Sequence, residues 1–124
     1  MIKLKDLLEV TSNPTQQVKL KIAKDEDYLY ADLYLNNTKI GTIEAQTEDQ
    51  KTYAILNSEI LAAYRKKGYY KQALLILLDR YPTIKLVSYD RSEDANKAWE
   101  ALIRDMPKGY GVERKDNQII LSKK

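Results

Sequence analysis

From Val18 onward the apolar residues recur at every second position, through successive short segments, until the period changes at Gly68. A period of two puts alternate side chains on opposite faces of a strand. Val18, Leu20 and Ile22 alternate with Lys19 and Lys21, and Leu29, Ala31, Leu33 and Leu35 alternate with Tyr28, Tyr30, Asp32 and Tyr34. Lys39 to Ala45 reads as a third strand, and Thr52 to Ile60 as a fourth, with Ala54, Leu56, Ser58 and Ile60 on one face. The connections are short and polar: Asp25-Glu26-Asp27, Asn36-Asn37 and Thr47-Glu48-Asp49-Gln50. Connections this short cannot carry a crossover, so the segments form an antiparallel meander. Asn36-Asn37 suits a tight hairpin, because Asn tolerates positive φ.

After Gly68 the pattern is helical. Ala73 to Leu78 is apolar nearly all round, which predicts a helix from Gly68 to Tyr81 that is buried on several sides and stopped by Pro82. Ile84 to Tyr89 is a short strand. Ser92 is a good N-cap, with Glu93 and Asp94 in the first turn and Ala95, Ala98, Trp99 and Leu102 as the apolar stripe. Pro107 ends that helix, and Tyr110 to Arg114 and Gln118 to Leu121 are two last strands. The order β-β-β-β-α-β-α-β-β gives an α+β (α/β) fold, a mixed and mostly antiparallel sheet with helices packed on it. The one strand-helix-strand unit places the Ile60 and Lys85 strands in parallel. The first residues stay open, since Leu4, Leu7 and Leu8 have helical spacing while Ile2 and Leu4 alternate. Thr11 to Thr15 reads as a turn. A length of 124 residues argues for one domain, 1–124, with its core at about 18–121.

The chain has no cysteine and no histidine. That excludes disulfide scaffolds, Cys/His zinc sites, thiol catalysis and a Ser-His-Asp triad. Only oxygen ligands remain for a metal, and Asp25-Glu26-Asp27 lacks the spacing of a calcium loop, so no metal is expected. The net charge of +3 is too small to imply nucleic acid by itself. No apolar run reaches membrane-spanning length, and Met1 to Asp6 lacks a signal-peptide apolar region. A cytoplasmic protein without a membrane partner is expected.

The stretch that carries chemistry joins the fourth strand to the buried helix: Ile60-Leu61-Ala62-Ala63-Tyr64-Arg65-Lys66-Lys67-Gly68-Tyr69-Tyr70-Lys71-Gln72-Ala73-Leu74-Leu75. A helix start has free amides and a positive dipole end, and Gly68 lets an anion approach the backbone closely. Without further context the basic run is a solvated helix start. Basic residues interleaved with Tyr69 and Tyr70 also suit single-stranded nucleic acid.

Arg65-Lys66-Lys67-Gly68-Tyr69-Tyr70 resembles the pyrophosphate-binding loop of the GNAT superfamily of acyl-CoA-dependent N-acyltransferases, Arg/Gln-x-x-Gly-x-Gly/Ala. It matches at Arg65 and Gly68 and departs at Tyr70, where the family has a small residue. The family's later helix reads Asn-x-x-Ala-x-x-x-Tyr-x-x-Leu. Here Ala95 and Leu102 match, Ser92 stands for the asparagine and Trp99 for the tyrosine. The element order agrees from about Val18 to Leu121. Short, degenerate family members, of the kind phages and mobile elements carry, look similar.

The resemblance implies a CoA or acetyl-CoA site at Ile60, Leu61, Arg65, Lys66, Lys67, Gly68, Tyr69, Tyr70, Lys71, Ser92 and Trp99, with acetyl transfer to an amine. It implies a pantetheine arm held by the backbone at Ile60 and Leu61. The family tyrosine often protonates the leaving thiolate. An indole N–H can donate a hydrogen bond but cannot usefully give up a proton. Glu44 and Glu59 are the candidate general bases, although an exposed strand glutamate is far more often a surface residue. The family's helices between its first two strands have no room here. That leaves an open acceptor side, suited to a macromolecular amine, a protein partner, or no acceptor in a non-catalytic binding protein. The last two strands can pair within the chain or with a second copy, which leaves a homodimer open.

Overall fold

The structure is a computed structural model, and it describes residues 16–89 and 91–124. The N-terminal element and the Thr11 to Thr15 turn lie outside the described residues. Seven strands form one sheet: β1 (Lys19–Lys24), β2 (Tyr28–Leu35), β3 (Thr38–Thr47), β4 (Thr52–Ile60), β5 (Lys85–Ser88), β6 (Tyr110–Lys115) and β7 (Gln118–Lys123). Two helices, α1 (Tyr69–Arg80) and α2 (Glu93–Arg104), flank β5 in the chain, and a short 3-10 turn covers Ala62–Tyr64. The sheet order is β1-β2-β3-β4-β5-β7-β6. All pairings are antiparallel except β4 with β5. The element order read from the sequence is the order observed.

Local chemistry explains the turns. Asn36 and Asn37 adopt positive φ (49° and 68°), the backbone of a tight hairpin turn. The Asp25 carboxylate accepts from the amides of Asp27 and Tyr28, both at 2.8 Å, and Asp49 accepts from Lys51 and Thr52 at the same distance. These Asx turns close the connections on either side of the β2–β3 hairpin. The third strand runs further than its apolar pattern indicates. Thr47 belongs to β3 and is buried, its hydroxyl accepting from the Gln50 amide at 2.9 Å.

The core lies between the sheet and the helices. Leu29, Ala31, Leu33, Ile40, Ala45, Tyr53, Leu86 and Leu121 of the sheet region are completely buried, as are Ala73, Leu74, Leu77 and Leu78 of α1. In β5, Leu86, Val87 and Ser88 are all buried, so that strand is covered on both faces, as parallel strands usually are. α2 buries only Trp99 and Ile103; of the stripe read from the sequence, Ala95 and Leu102 are half-buried and Ala98 is exposed, so the buried face is turned toward Ile103. The terminal hairpin pairs within the chain: β7 bonds to β5 and β6 bonds to β7. It is pinned to both helices. The Tyr110 hydroxyl and the Lys123 ammonium both donate to Asp79 of α1, at 2.6 and 2.7 Å, and Arg114 forms a two-armed ion pair with Glu100 of α2. Among the described residues no helix is long and apolar enough to cross a membrane.

Candidate functional site

The two edges of β4 are paired unequally. Its edge toward β3 is bonded from Tyr53 to Ile60, whereas its edge toward β5 is bonded only at Thr52, Tyr53 and Ala54, opposite Lys85, Leu86 and Val87. Beyond Ala54 the parallel strands separate. The ladder to β3 also skips a residue there: Ala45 faces Ile55 and Glu44 faces Asn57, so Leu56 is bulged out. The alternation of Ala54, Leu56, Ser58 and Ile60 therefore does not continue through the strand, and Leu56 is 51% exposed. Nothing in the sequence announces the bulge, because Thr52 to Ile60 alternates without a glycine or proline. The result is a strand whose Ile55 to Ile60 segment, among the described residues, presents an unpaired backbone edge beside the gap.

The chain leaves this gap through the 3-10 turn and enters α1. Gly41, opposite Ile60, allows the end of β4 to lie close: a side chain there would overlap the Glu59 carbonyl oxygen. The Leu61 amide donates to the Ile40 carbonyl at 2.8 Å, so it is already engaged within the sheet. The Ile60 carbonyl accepts from Arg65 Nε at 2.7 Å, which folds the guanidinium back over the end of β4.

Gly68 is the N-cap of α1 with φ 83° and ψ 3°, a left-handed conformation natural to glycine. No side chain caps the helix, and its first turn has no carboxylate. The first α1 amide to bond back is that of Gln72, to the Gly68 carbonyl at 3.0 Å. The amides of Tyr69, Tyr70 and Lys71 ahead of it have no carbonyl within the helix. A β-carbon placed on Gly68 meets nothing within 4 Å, so the space over the turn is open. Arg65, Lys66 and Lys67 are exposed, and none of them is in an ion pair among the described residues. Lys66 itself has φ 61°. Uncapped amides, an open approach and this positive charge make the turn competent for a phosphate-bearing ligand.

The other sequence-selected residues are distributed unevenly. Lys71 turns away from the loop and donates to the Asp105 carbonyl at 2.6 Å, at the end of α2. Tyr69 is buried in the core, its ring 6.4 Å from that of Tyr64. Ser92 caps α2, its hydroxyl accepting from the Ala95 amide at 3.2 Å. Glu59 is exposed on the free segment of β4, and Glu44 is half-buried on β3 opposite Asn57. Gln72, which the sequence did not single out, ties the entry to β1 into α1: its side-chain oxygen accepts from the Val18 amide at 3.0 Å.

Tyr70 and Trp99 meet. Trp99 is buried, and the two rings contact edge to face with centroids 6.0 Å apart and an interplanar angle of 83°. The Tyr70 hydroxyl is buried and has no hydrogen-bond partner among the described residues, although the Ser58 hydroxyl of β4 is near enough to favour its ionised form slightly. Burial dominates and pushes the phenol up to about 12, so it stays protonated through the physiological range. No pattern in the sequence joins these two positions. They come together because α1 and α2 converge beside the free segment of β4. Among the described residues no cluster of acids offers a metal site.

No protein-family model matches the sequence, and no curated protein does either. Solved structures do match. The PaiA N-acetyltransferase of Thermoplasma acidophilum in complex with coenzyme A superposes with a TM-score of 0.53 at 18% identity, over 79% of this chain and 62% of that one. An IAA acetyltransferase from Bacillus cereus gives 0.57 at 14% identity, over 85% of this chain and 97% of its own. A Bacteroides thetaiotaomicron protein assigned to the GNAT acetyltransferase family gives 0.53 at 17% identity, over 98% and 69%. The chain thus spans less than two thirds of the Thermoplasma enzyme.

Proposed function

The chain has the GNAT fold, and from that premise we propose that it binds acetyl-CoA and transfers the acetyl group to an amine. The observation that carries this reading is the early end of β4–β5 pairing at Ala54 and Val87, in the strand that leads into an uncapped helix start. An extended pantetheine arm would lie along Ile55 to Ile60 as an added strand, using the unpaired edge. Its pyrophosphate would meet the amides of Tyr69 and Tyr70 at the Gly68 turn, with Arg65, Lys66 and Lys67 neutralising charge. The residues fit the group, since the helix start lacks a cap of its own and the approach over Gly68 is open.

When bound, the thioester supplies an activated acyl carbon. The contribution of the chain is then placement. Fixing the carbonyl beside an incoming amine turns a bimolecular encounter into a local one, an effect worth up to about 7–11 kcal/mol when alignment is good. Backbone donors at the β4 bulge would polarise the carbonyl oxygen as charge develops. The connection from β1 to β2 is a short Asx turn at Asp25, so no helix from that connection screens the acceptor side. A large amine acceptor, such as a protein chain end or lysine, suits such an opening. Glu59, on the free segment itself, is the better placed of the two candidate bases.

A second reading is favoured by Trp99. A buried indole stands where proton donation to the leaving group would be expected, which suits a CoA-binding protein that does not catalyse transfer. Melting with and without CoA tests the binding common to both readings. Acetyl transfer to a mixed panel of amines and peptides then separates them: turnover supports the enzyme, and binding without turnover supports the accessory role.

A further inference from the structure

Among the described residues, two tyrosine hydroxyls are buried without a partner, those of Tyr53 and Tyr70. An unpaired buried hydroxyl is unfavourable by about 1–3 kcal/mol, so each needs a reason. Tyr53 is wholly enclosed, at 0% exposure, and nothing from outside can reach it. Tyr70 differs. It keeps part of its surface exposed, its hydroxyl approaches Ser58 on the unpaired segment of β4, and its ring rests on Trp99. If Tyr70 were only a spacer filling the gap between β4 and α2, a phenylalanine would pack equally well and leave no orphan. The hydroxyl is the feature that packing does not account for.

We propose that the Tyr70 hydroxyl is a hydrogen-bond donor to the acyl-pantetheine arm, accepted by an oxygen of that arm lying beside Ser58. This inference rests on the CoA-binding reading above. It assigns to Tyr70 a ligand contact at the place where the GNAT pattern calls for a small residue. Tyr70 then does not act as an acid. A phenol held near 12 is several units weaker than a thiol of about 8.5, so proton transfer to the leaving sulfur would run uphill. Donation of a hydrogen bond needs no transfer and is constant across neutral pH. Trp99 serves as a positioning residue, its edge-to-face contact holding the phenol ring in place.

The test uses the full chain, with CoA itself as the probe in titration calorimetry, on wild type and Tyr70→Phe, and with melting of both in the absence of ligand. The expected result is a ligand-free Tyr70→Phe protein that melts no lower than wild type, together with CoA binding weakened about tenfold. A ligand-free variant that melts lower would mean the hydroxyl has a structural partner, which overturns the proposal. Equal or tighter CoA binding by Tyr70→Phe would also overturn it, with the CoA reading intact, because the ring would then be spacer or plug. Failure of wild type itself to bind CoA would remove the reading and the proposal together.

Discussion

At Tyr53, β4 is bonded on both sides, to Thr47 of β3 and to Leu86 of β5; by Asn57 it is bonded, among the described residues, only to Glu44 of β3. The side chains follow the backbone. Tyr53 is completely buried, whereas Leu56 is half exposed and Asn57, Ser58 and Glu59 are open to solvent. A strand paired on both edges serves the core. The same strand, a few residues later and past a bulge, keeps one edge unsatisfied, and in a folded protein an unpaired edge has to be hydrated, covered or used. The helix that follows it begins uncapped, with three amides lacking a partner among the described residues, so the backbone is left open twice in one stretch of chain. The closed end of β4 contributes to the core, and the open end is where the site is proposed.

That contrast can be broken by substitution. Tyr53→Ala should destabilise the protein by about 3–5 kcal/mol in chemical denaturation, the range for emptying a large aromatic site in a core, and Trp99→Ala should fall in the same range. Leu56→Ala should cost less than about 1 kcal/mol, as an exposed residue at a bulge does. Comparable losses at Tyr53 and Leu56 would mean both ends of β4 are core. Next in size is Gly68→Asp. It adds a carboxylate at the helix start, where Asp tolerates positive φ better than most residues. The variant should fold, yet lose the roughly 2.7 kcal/mol of stabilisation that CoA confers on wild type at about 100 times its dissociation constant. Retention of that stabilisation would move the phosphate site elsewhere.

Alkaline pH gives a smaller and cleaner signal at the open end. Burial raises the Tyr70 phenol from 10.0 to about 12 in the folded protein, so the phenolate is disfavoured only in the native state. The stability involved is fully present below pH 10 and is lost as pH rises through the folded value, at about 1 kcal/mol per pH unit. Wild type minus Tyr70→Phe should show that loss, and a flat difference would mean the hydroxyl is solvated. The smallest effect belongs to Asp79. Hydrogen bonds from Lys123 and Tyr110 lower its carboxyl below 3.8, so its contribution is present above that value and is lost as pH falls through the lowered one. Asp79→Asn should lower the melting temperature slightly at neutral pH and match wild type in strong acid. A difference that persists in acid would assign the pin to something other than charge.

The sequence displays what repeats along it. Period-two alternation placed β1 to β4, and the apolar run Ala73 to Leu78 marked a helix buried on several sides, of which Ala73, Leu74, Leu77 and Leu78 are fully enclosed while Leu75 and Ile76 are only half-buried. The Gly68 turn and its basic residues were legible because dipole, charge and glycine act locally. What could not be read depends on distant neighbours. The Leu61 amide goes to Ile40, Lys71 goes to the end of α2, and Tyr70 meets Trp99 across two elements. The bulge at Leu56 leaves no trace, since an extra residue in one strand is defined only against its partner. Thr47 read as turn because it is polar, yet it sits buried with its hydroxyl satisfied by Gln50.

The central claim, that the open end of β4 and the start of α1 form one CoA site, is tested most directly by the melting temperature of the wild-type chain as CoA is added to millimolar concentration. Binding at that site gives a saturable rise, reaching about 10 °C at 100 times the dissociation constant. A folded protein whose melting temperature stays unchanged throughout the titration would contradict it.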